Sequence, residues 1–198
     1  RICGICSITH SLAATKAVEK ALGIQVTEQA DLLRQLMHYS EQLQSHVLHA
    51  GYLAAPDFFG APSVVPLVAV APDVVKTVIR AHRIANNWSE LTAGRPTHPN
   101  TILPGGWSRV PTEKQLKELK ATLEAVPKDL MVIVDAILSV AGNIPNFTRD
   151  TEYVSLTHPD HYTFYHGDIT SNDFAGKTVS VQDWQRFPKR PFYAPGLR

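Results

Sequence analysis

The sequence predicts a mainly α protein, in which a bundle of long helices is followed by a small region of strands and loops near the carboxyl end. Before residue 143, apolar side chains recur at helical spacing over long stretches, and residues suited to begin and end helices flank these stretches. After residue 143, β-branched and aromatic residues stand among Asn, Asp, Gly and His, as in short strands and loops. We interpret residues 1–198 as a single partial domain, helical over 1–142 and made of strands and loops over 143–198.

The first predicted helix ends at Gly23, because glycine readily takes the left-handed conformation that often follows a last helical turn. Thr9 or Ser11 is suited to cap its beginning. Its small side chains favour close packing against another helix. The residues at helical spacing are Leu12, Ala13, Ala17, Ala21 and Leu22.

The second predicted helix covers residues 28–50, which contain neither Gly nor Pro. Thr27 is a good N-cap, and the acidic residues Glu28 and Asp31 suit the positive end of the helix dipole. One side of the helix is apolar, with Leu33, Leu36, Leu43, Val47, Ala50 and Ala54. The opposite side is polar and rich in histidine, with His38, Gln42, Ser45, His46 and His49.

That polar side has two interpretations. Any amphipathic helix has polar residues opposite its apolar stripe, so these residues are either solvated or part of an interface. In the functional interpretation, some of them line a site and supply hydrogen bonds or groups that carry protons near neutral pH.

Two further helices are predicted, separated by a rigid loop. Pro72 suits the first turn of a helix over residues 73–91, in which we expect Trp88 to be buried. The expected buried stripe of that helix is Val74, Val75, Val78, Ile79, Ile84 and Ala85. We expect the helix to stop at Gly94, and two prolines prevent residues 94–100 from continuing it.

The last helical region covers residues 112–142. Thr112 and Gln115 form a capping-box pattern at its beginning. We expect Pro127 to start a kink or a new segment, and residues 130–140 to form a buried helix because they are strongly apolar.

Charge and composition exclude several classes of partner. The 19 basic and 18 acidic side chains give a net charge of +1 and are mixed along the chain, so nothing indicates nucleic acid or an anionic membrane as a partner. No apolar run approaches the roughly 18 residues needed to span a bilayer, so we expect no transmembrane segment. No signal peptide is recognisable, and we expect a cytoplasmic protein.

Cys3 and Cys6 are the only cysteines in the chain, and the segment Cys-Gly-Ile-Cys that contains them directs both sulfurs to one centre. The spacing alone permits a redox dithiol, half of a tetrahedral zinc site, a pair of soft ligands completed by other residues, or two buried unreactive thiols. A zinc site would have to take its remaining ligands from histidines, and none of the nine forms a clean partner motif.

The longer pattern Arg-x-Cys-Gly-x-Cys-x-x-x-His, from Arg1 to His10, resembles the amino-terminal metal-binding motif of nickel-iron hydrogenase large subunits. The resemblance implies the helical fold of that subunit in part. It also implies that Cys3 is a terminal nickel ligand and a candidate proton acceptor in catalysis, that Cys6 bridges nickel and iron, and that His10 is a hydrogen-bond partner of the bridging sulfur.

Three other segments resemble the same family. The segment Ser-His-Val-Leu-His at residues 45–49 resembles a family sequence on a long bundle helix, which places His46 and His49 near the site or the proton route. The segment Ala-Ala-Pro-Asp-Phe at 54–58 is similar to the soluble multisubunit members. The segment around His98, at 94–99, resembles the family's Gly-Arg-x-x-His-Pro, and we assign His98 either to the gas or proton route or to a structural turn.

The family resemblance implies an oxidoreductase that reversibly splits dihydrogen heterolytically into protons and electrons. Its cofactor is a nickel-iron centre whose iron carries CO and CN ligands. Iron–sulfur clusters need cysteines that this chain does not have, so they are expected in a partner small subunit, with further subunits that reduce an electron carrier.

Two alternatives remain at this stage. One is the large subunit of a membrane energy-converting hydrogenase. The other is a metal-free structural or interaction module related to the quinone-reducing subunit of respiratory complex I, a class that does not keep the metal cysteines.

We also expect the sequence to be a fragment. The family uses four cysteines, and the second pair, in a carboxy-terminal Cys-x-x-Cys motif, does not occur here. These 198 residues alone are therefore expected to be inactive and to expose apolar surface.

Overall fold

The computed structural model describes residues 2–173 and 176–186. Arg1 of the cysteine motif and the residues at 187–198 lie outside the described residues. The chain divides into two compact units, Arg1–Pro145 and Asn146–Arg198. Whether the whole chain acts as one domain stays a prediction, and each unit is described by itself.

The first unit is helical, which confirms the predicted mainly α class. Its helices are α1 (Ser7–Leu22), α2 (Glu28–Leu48), α3 (Ala55–Phe58), α4 (Val64–Val70), α5 (Pro72–Ala93) and α6 (Glu113–Ser139). A π-helical segment, His49–Ala54, continues α2 into α3, and a 3₁₀ turn, Ala141–Asn143, follows α6. A two-residue antiparallel hairpin joins α5 to α6, with strands β1 (Ile102–Leu103) and β2 (Gly106–Trp107).

Several of the predicted helix ends are confirmed. Gly23 and Gly94 follow α1 and α5 in the left-handed conformation, at φ of 67° and 79°. The side chain of Thr27 accepts the N–H of Ala30 at the start of α2. Thr112 and Gln115 form the predicted capping box at the start of α6. The cap predicted for α1 is wrong, because the N-cap is Cys6 and not Thr9 or Ser11.

The core of the first unit lies where α2, α5 and α6 meet. Its centre consists of four buried residues, one or more from each of these helices: Val47, Val78, Ala81 and Ile133. The π-helical segment approaches α5 closely, since a Cβ built on Gly51 would collide with the side chain of Val78. A buried hydrogen bond of 2.9 Å from Ser89 Oγ to Ser40 Oγ also ties α5 to α2. Together these contacts fix the position of α2, the helix that α1 packs against.

A buried ion pair holds the carboxyl end of α1. The Nη2 and Nη1 atoms of Arg34 in α2 donate to the carboxylate of Glu19 at 2.6 and 2.8 Å, and the two side chains are 1% and 6% exposed. The same carboxylate accepts the N–H of Gly105 at 2.7 Å, and Arg34 donates to the carbonyl of Leu103 at 3.0 Å. Glu19 and Arg34 therefore connect α1, α2 and the β1–β2 hairpin.

The apolar residues of α1 at helical spacing do not mark its buried face, since among them Leu12 is buried while the others are exposed. The buried residues are Ser7, Ile8, Leu12, Thr15 and Glu19, whereas Leu22 is 69% exposed. Apolar spacing alone could not find this face, because Glu19 is buried through its pairing with Arg34. Similarly, Trp88 in α5 is buried as expected, but Ile79 is 42% exposed.

Two predictions for the last helix also differ from the structure. Pro127 does not begin a new segment, because α6 continues through it with Val126 packed in the core, and the kink stays a prediction. Residues 130–140 are not buried all round, since Ile133 is buried while Met131, Val134 and Leu138 are largely exposed. One face of this apolar helix packs on α5 and the other faces outward.

The second unit contains a small antiparallel sheet, as the sequence predicts for this region. Its strands, in the order β3–β4–β5, are Val154–Thr157, Asp168–Ser171 and Val179–Ser180. Leu156 pairs with Ile169 in the β3–β4 register. A 3₁₀ segment, Val181–Arg186, follows the sheet.

No helix among residues 2–173 and 176–186 has both the length and the apolar character needed to cross a membrane.

Candidate metal centre

The cysteine pair forms a turn that leads directly into α1. Cys3 is exposed, Cys6 is half-buried, and both are free thiols. Cys6 is the N-cap residue of α1, but no side-chain hydrogen bond caps the helix there. The sulfur of Cys6 is therefore not committed to the helix end and is available as a ligand.

The two thiols influence each other's protonation. The backbone N–H of Cys6 lowers the pKa of the Cys3 thiol, assisted by the Cys6 side chain and the backbone of Ile5. The pKa of the Cys6 thiol is raised, first by its hydrogen bond with the Cys3 side chain and then by burial. Cys3 is therefore the easier of the two thiols to ionise.

Such a pair suits a soft transition metal. Thiols must lose their protons to bind a metal, and two neighbouring thiolates can then bind the same soft cation. Among the residues that the structure describes, no group of three or more His, Cys, Asp and Glu side chains is arranged to hold a metal ion. The donor chemistry of the two free thiols fits one part of a nickel-iron centre, and their assignment as ligands stays a prediction.

Ser7 joins the cysteine turn to the loop after α5. Its hydroxyl donates to the carbonyl of Gly4 at 3.0 Å and accepts the backbone N–H of His98 at 2.8 Å. His98 has a φ of 56°, an unusual left-handed conformation for a residue other than glycine. A Cβ built on Gly4 would lie 3.7 Å from Nε2 of His98, so the imidazole lies beside Gly4, which directly follows Cys3.

Glu41 of α2 holds the first turn of α1 from the other side. Its carboxylate is 3% exposed and accepts the backbone N–H groups of Ile8 and Thr9 at 2.7 and 2.9 Å. The hydroxyl of Thr9 also donates to Glu41 and lies 3.3 Å from Nδ1 of His38. The amino end of α1 is therefore attached to α2 through Glu41 and His38.

The other predicted site histidines have weaker connections to the cysteine turn. His10 is exposed, and its backbone N–H donates to the carbonyl of Cys6 at 3.1 Å. His46 and His49 are both exposed near the end of α2, where the N–H of His49 donates to the carbonyls of Ser45 and His46. Hydrogen-bonding or proton-transfer roles for His10, His46, His49 and His98 stay predictions.

Sequence reasoning missed Ser7 and Glu41. A serine directly after Cys6 gives no signal by itself, because the His98 N–H that it accepts lies 91 residues away in the sequence. Glu41 lies at helical spacing from Met37 and Gln44, but the structure was needed to show that this face of α2 is buried. An acidic residue on a buried helix face needs donors, and here the free N–H groups of α1 provide them.

Comparison with known proteins identifies the family in which this cysteine turn occurs. Residues 1–92 match the family model described as nickel-dependent hydrogenase. The chain is 36% identical over 179 residues to one subunit of the F420-non-reducing hydrogenase vhu of Methanococcus voltae, covering 83% of this chain and 42% of that protein. It is 41% identical over 119 residues to the alpha subunit of sulfhydrogenase 2 of Pyrococcus furiosus, covering 60% of this chain and 29% of that protein.

A solved structure shows the same fold. The crystal structure of an NAD+-reducing [NiFe]-hydrogenase in the H2-reduced state superposes with a TM-score of 0.79 at 27% identity, covering 96% of this chain and 47% of that one. The chain thus spans less than half the length of the relatives it matches. The family match covers the cysteine turn, α1 and α2, and the shared fold extends over nearly the whole chain: this protein belongs to the nickel-dependent hydrogenase family, as a large-subunit segment.

Proposed function

We propose that Cys3 and Cys6 form the amino-terminal half of a nickel-iron centre, and that the enzyme built on it catalyses the reversible oxidation of dihydrogen to two protons and two electrons. The observation that carries the proposal is the pair of adjacent free thiols at the start of α1, within the segment that matches the family. Cys3 and Cys6 would hold the two metals through their sulfurs, as the family resemblance implies, with Cys3 on nickel and Cys6 between nickel and iron. The centre, with CO and CN on its iron, supplies the heterolytic splitting of dihydrogen.

Each thiol has a distinct part in this proposal. The sulfur of Cys3 is exposed, and its lowered pKa favours the thiolate, so it is the candidate for accepting and releasing a proton. Cys6 is more enclosed and is connected through the backbone to α1, which suits a bridging position that does not move. We assign His98 and His10 to hydrogen bonds around the sulfurs. His46 and His49 are assigned to a proton route.

The proposed route for the electrons leads out of these 198 residues. Cys3 and Cys6 are the only cysteines of the sequence, so a cluster ligated by four thiolates has no place on it. We therefore propose a partner small subunit with iron–sulfur clusters, and further subunits that reduce an electron carrier. Two relatives named above are an F420-non-reducing and an NAD+-reducing hydrogenase, which supports a soluble carrier and a cytoplasmic location.

Dye reduction under hydrogen tests the proposed activity. The protein is purified from cells with the subunits that accompany it, and reduction of a viologen dye is followed under hydrogen and under argon. We expect hydrogen-dependent reduction in the wild type and its loss in Cys6→Ser, because the hydroxyl oxygen is a much harder ligand than the thiolate.

Thr122→Ala provides the matched control, since Thr122 is exposed on α6 and outside the proposed centre. This variant should retain wild-type dye reduction. Equal rates under hydrogen and argon in the wild type, or full activity in Cys6→Ser, would refute the proposal.

A further inference from the structure

Glu41 caps α1 although it belongs to another helix. The first N–H groups of an α-helix have no partner within the helix, and the N-cap side chain or an acidic residue in the first turn usually accepts them. In α1 the N-cap is Cys6, which makes no such bond, and the first turn has no acidic residue. The carboxylate of Glu41 accepts the N–H groups of Ile8 and Thr9 instead, at 2.7 and 2.9 Å.

This arrangement leaves the Cys6 sulfur free for other chemistry. A side chain at an N-cap position ordinarily turns back toward the helix to accept an N–H. With those donors already taken by Glu41, Cys6 has no need to turn inward. The carboxylate is 3% exposed, so water competes little for these bonds and the turn is held firmly.

Glu41 also brings negative charge to the amino end of α1, where its carboxylate accepts the N–H groups two and three residues beyond Cys6. The amino end of a helix is electropositive and by itself favours thiolates. A carboxylate at this end offsets that effect.

We propose that Glu41 is the positioning residue of the cysteine pair, which fixes the first turn of α1 so that the Cys6 sulfur faces the metal and which keeps the thiolates electron-rich through its charge. The inference rests on the proposed nickel-iron centre. Glu41 acts through the backbone of Ile8 and Thr9, and thus without touching the reacting atoms.

Two substitutions separate position from charge. Glu41→Gln keeps the length of the side chain and one acceptor oxygen but removes the charge. Glu41→Asp keeps the charge but is one methylene shorter, so it cannot reach both N–H groups. Glu19→Gln is the matched control, because Glu19 is equally buried but lies at the carboxyl end of α1 against Arg34.

The measurements are made on the metal-loaded protein purified from cells with its accompanying subunits. Nickel release into excess chelator is followed by elemental analysis, and the midpoint potential of the nickel signal is determined by redox titration. Thermal unfolding, recorded for each variant, shows that it is folded.

We expect both Glu41 variants to release nickel about 10- to 100-fold faster than the wild type, which is the usual effect of losing a residue that supports metal ligands. The midpoint potential should become more positive in Glu41→Gln, because removing a negative charge favours the reduced state, and should stay near the wild-type value in Glu41→Asp. Glu19→Gln should unfold at a lower temperature, with wild-type nickel release and potential.

Wild-type nickel release and potential in a folded Glu41→Gln protein would overturn the inference and leave the proposed centre intact. Equal changes of nickel release and potential in Glu19→Gln would also overturn the inference, because they would show that any loss of stability in α1 has the same effect as the loss of Glu41. A wild-type protein that contains no nickel would instead refute the proposed function, and this inference with it.

Discussion

The two ends of α1 each depend on a buried glutamate, but the partners of these glutamates differ. At the carboxyl end, Glu19 meets the guanidinium of Arg34, and the two charges neutralise each other. At the amino end, the described partners of Glu41 are the backbone N–H groups of Ile8 and Thr9 and a hydroxyl. The ion pair at the carboxyl end joins α1, α2 and the β1–β2 hairpin, whereas the carboxylate at the amino end holds the turn that carries Cys3 and Cys6.

This difference shows how one helix can serve both the fold and the site. A neutralised pair gives no field at a distance, so it connects α1, α2 and the β1–β2 hairpin without affecting chemistry nearby. A carboxylate paired with helix N–H groups keeps its charge and offsets the helix dipole at the cysteines. The comparison leads to predictions of decreasing size.

The largest expected effect is at the carboxyl end. Glu19→Ala leaves the guanidinium of Arg34 buried without its carboxylate, which typically costs about 3–5 kcal/mol in the free energy of unfolding. Urea denaturation of the purified protein measures this. The control is the double variant Glu19→Leu with Arg34→Met, which removes both charges and should lose much less. A double variant no more stable than Glu19→Ala would contradict our account of this end.

A smaller effect is expected from acid. Hydrogen bonds from Arg34, with help from the N–H of Gly105, lower the pKa of Glu19 in the folded protein. Because the folded pKa is the lower one, this stabilisation is complete above the unfolded glutamate pKa of about 4.3 and is lost as the pH falls from there through the folded pKa. As the pH falls, the free energy of unfolding should decrease more steeply in the wild type than in the double variant, as measured by denaturation at a series of pH values. The same pH dependence in both proteins would contradict this role of Glu19.

The smallest effect is expected at the cysteine turn. Ser7→Ala removes the buried hydroxyl that accepts the His98 N–H and donates to Gly4, and we expect a loss of about 1 kcal/mol, the usual net contribution of a hydrogen bond. Ser139→Ala, at the exposed end of α6, is the control and should stay within about 0.5 kcal/mol of the wild type. If Ser7→Ala is as stable as the control, Ser7 does not hold the turn.

The sequence predicts the long helices well because their signals are local. Thr27, Thr112 and Gly94 act on the few residues beside them, and the structure confirms each of these caps. The cysteine motif is also local, and its pattern from Arg1 to His10 led to the family that the comparisons show.

The buried faces were harder to predict, because they depend on residues distant in sequence. Glu19 is buried through Arg34, 15 residues away, and Glu41 through Ile8, 33 residues away. Neither pairing has a periodic pattern. The cap of α1 was assigned to Thr9 or Ser11 for the same reason, since a search for a nearby capping side chain does not consider one from another helix.

Nickel content is the most direct test of the central claim that Cys3 and Cys6 hold the metal. The wild type, Cys3→Ala, Cys6→Ala and the control Thr122→Ala are purified from cells with their accompanying subunits, and the nickel bound per protein is determined by elemental analysis. We predict nickel in the wild type and the control, and its loss in both cysteine variants. Undiminished nickel in Cys3→Ala would contradict the account.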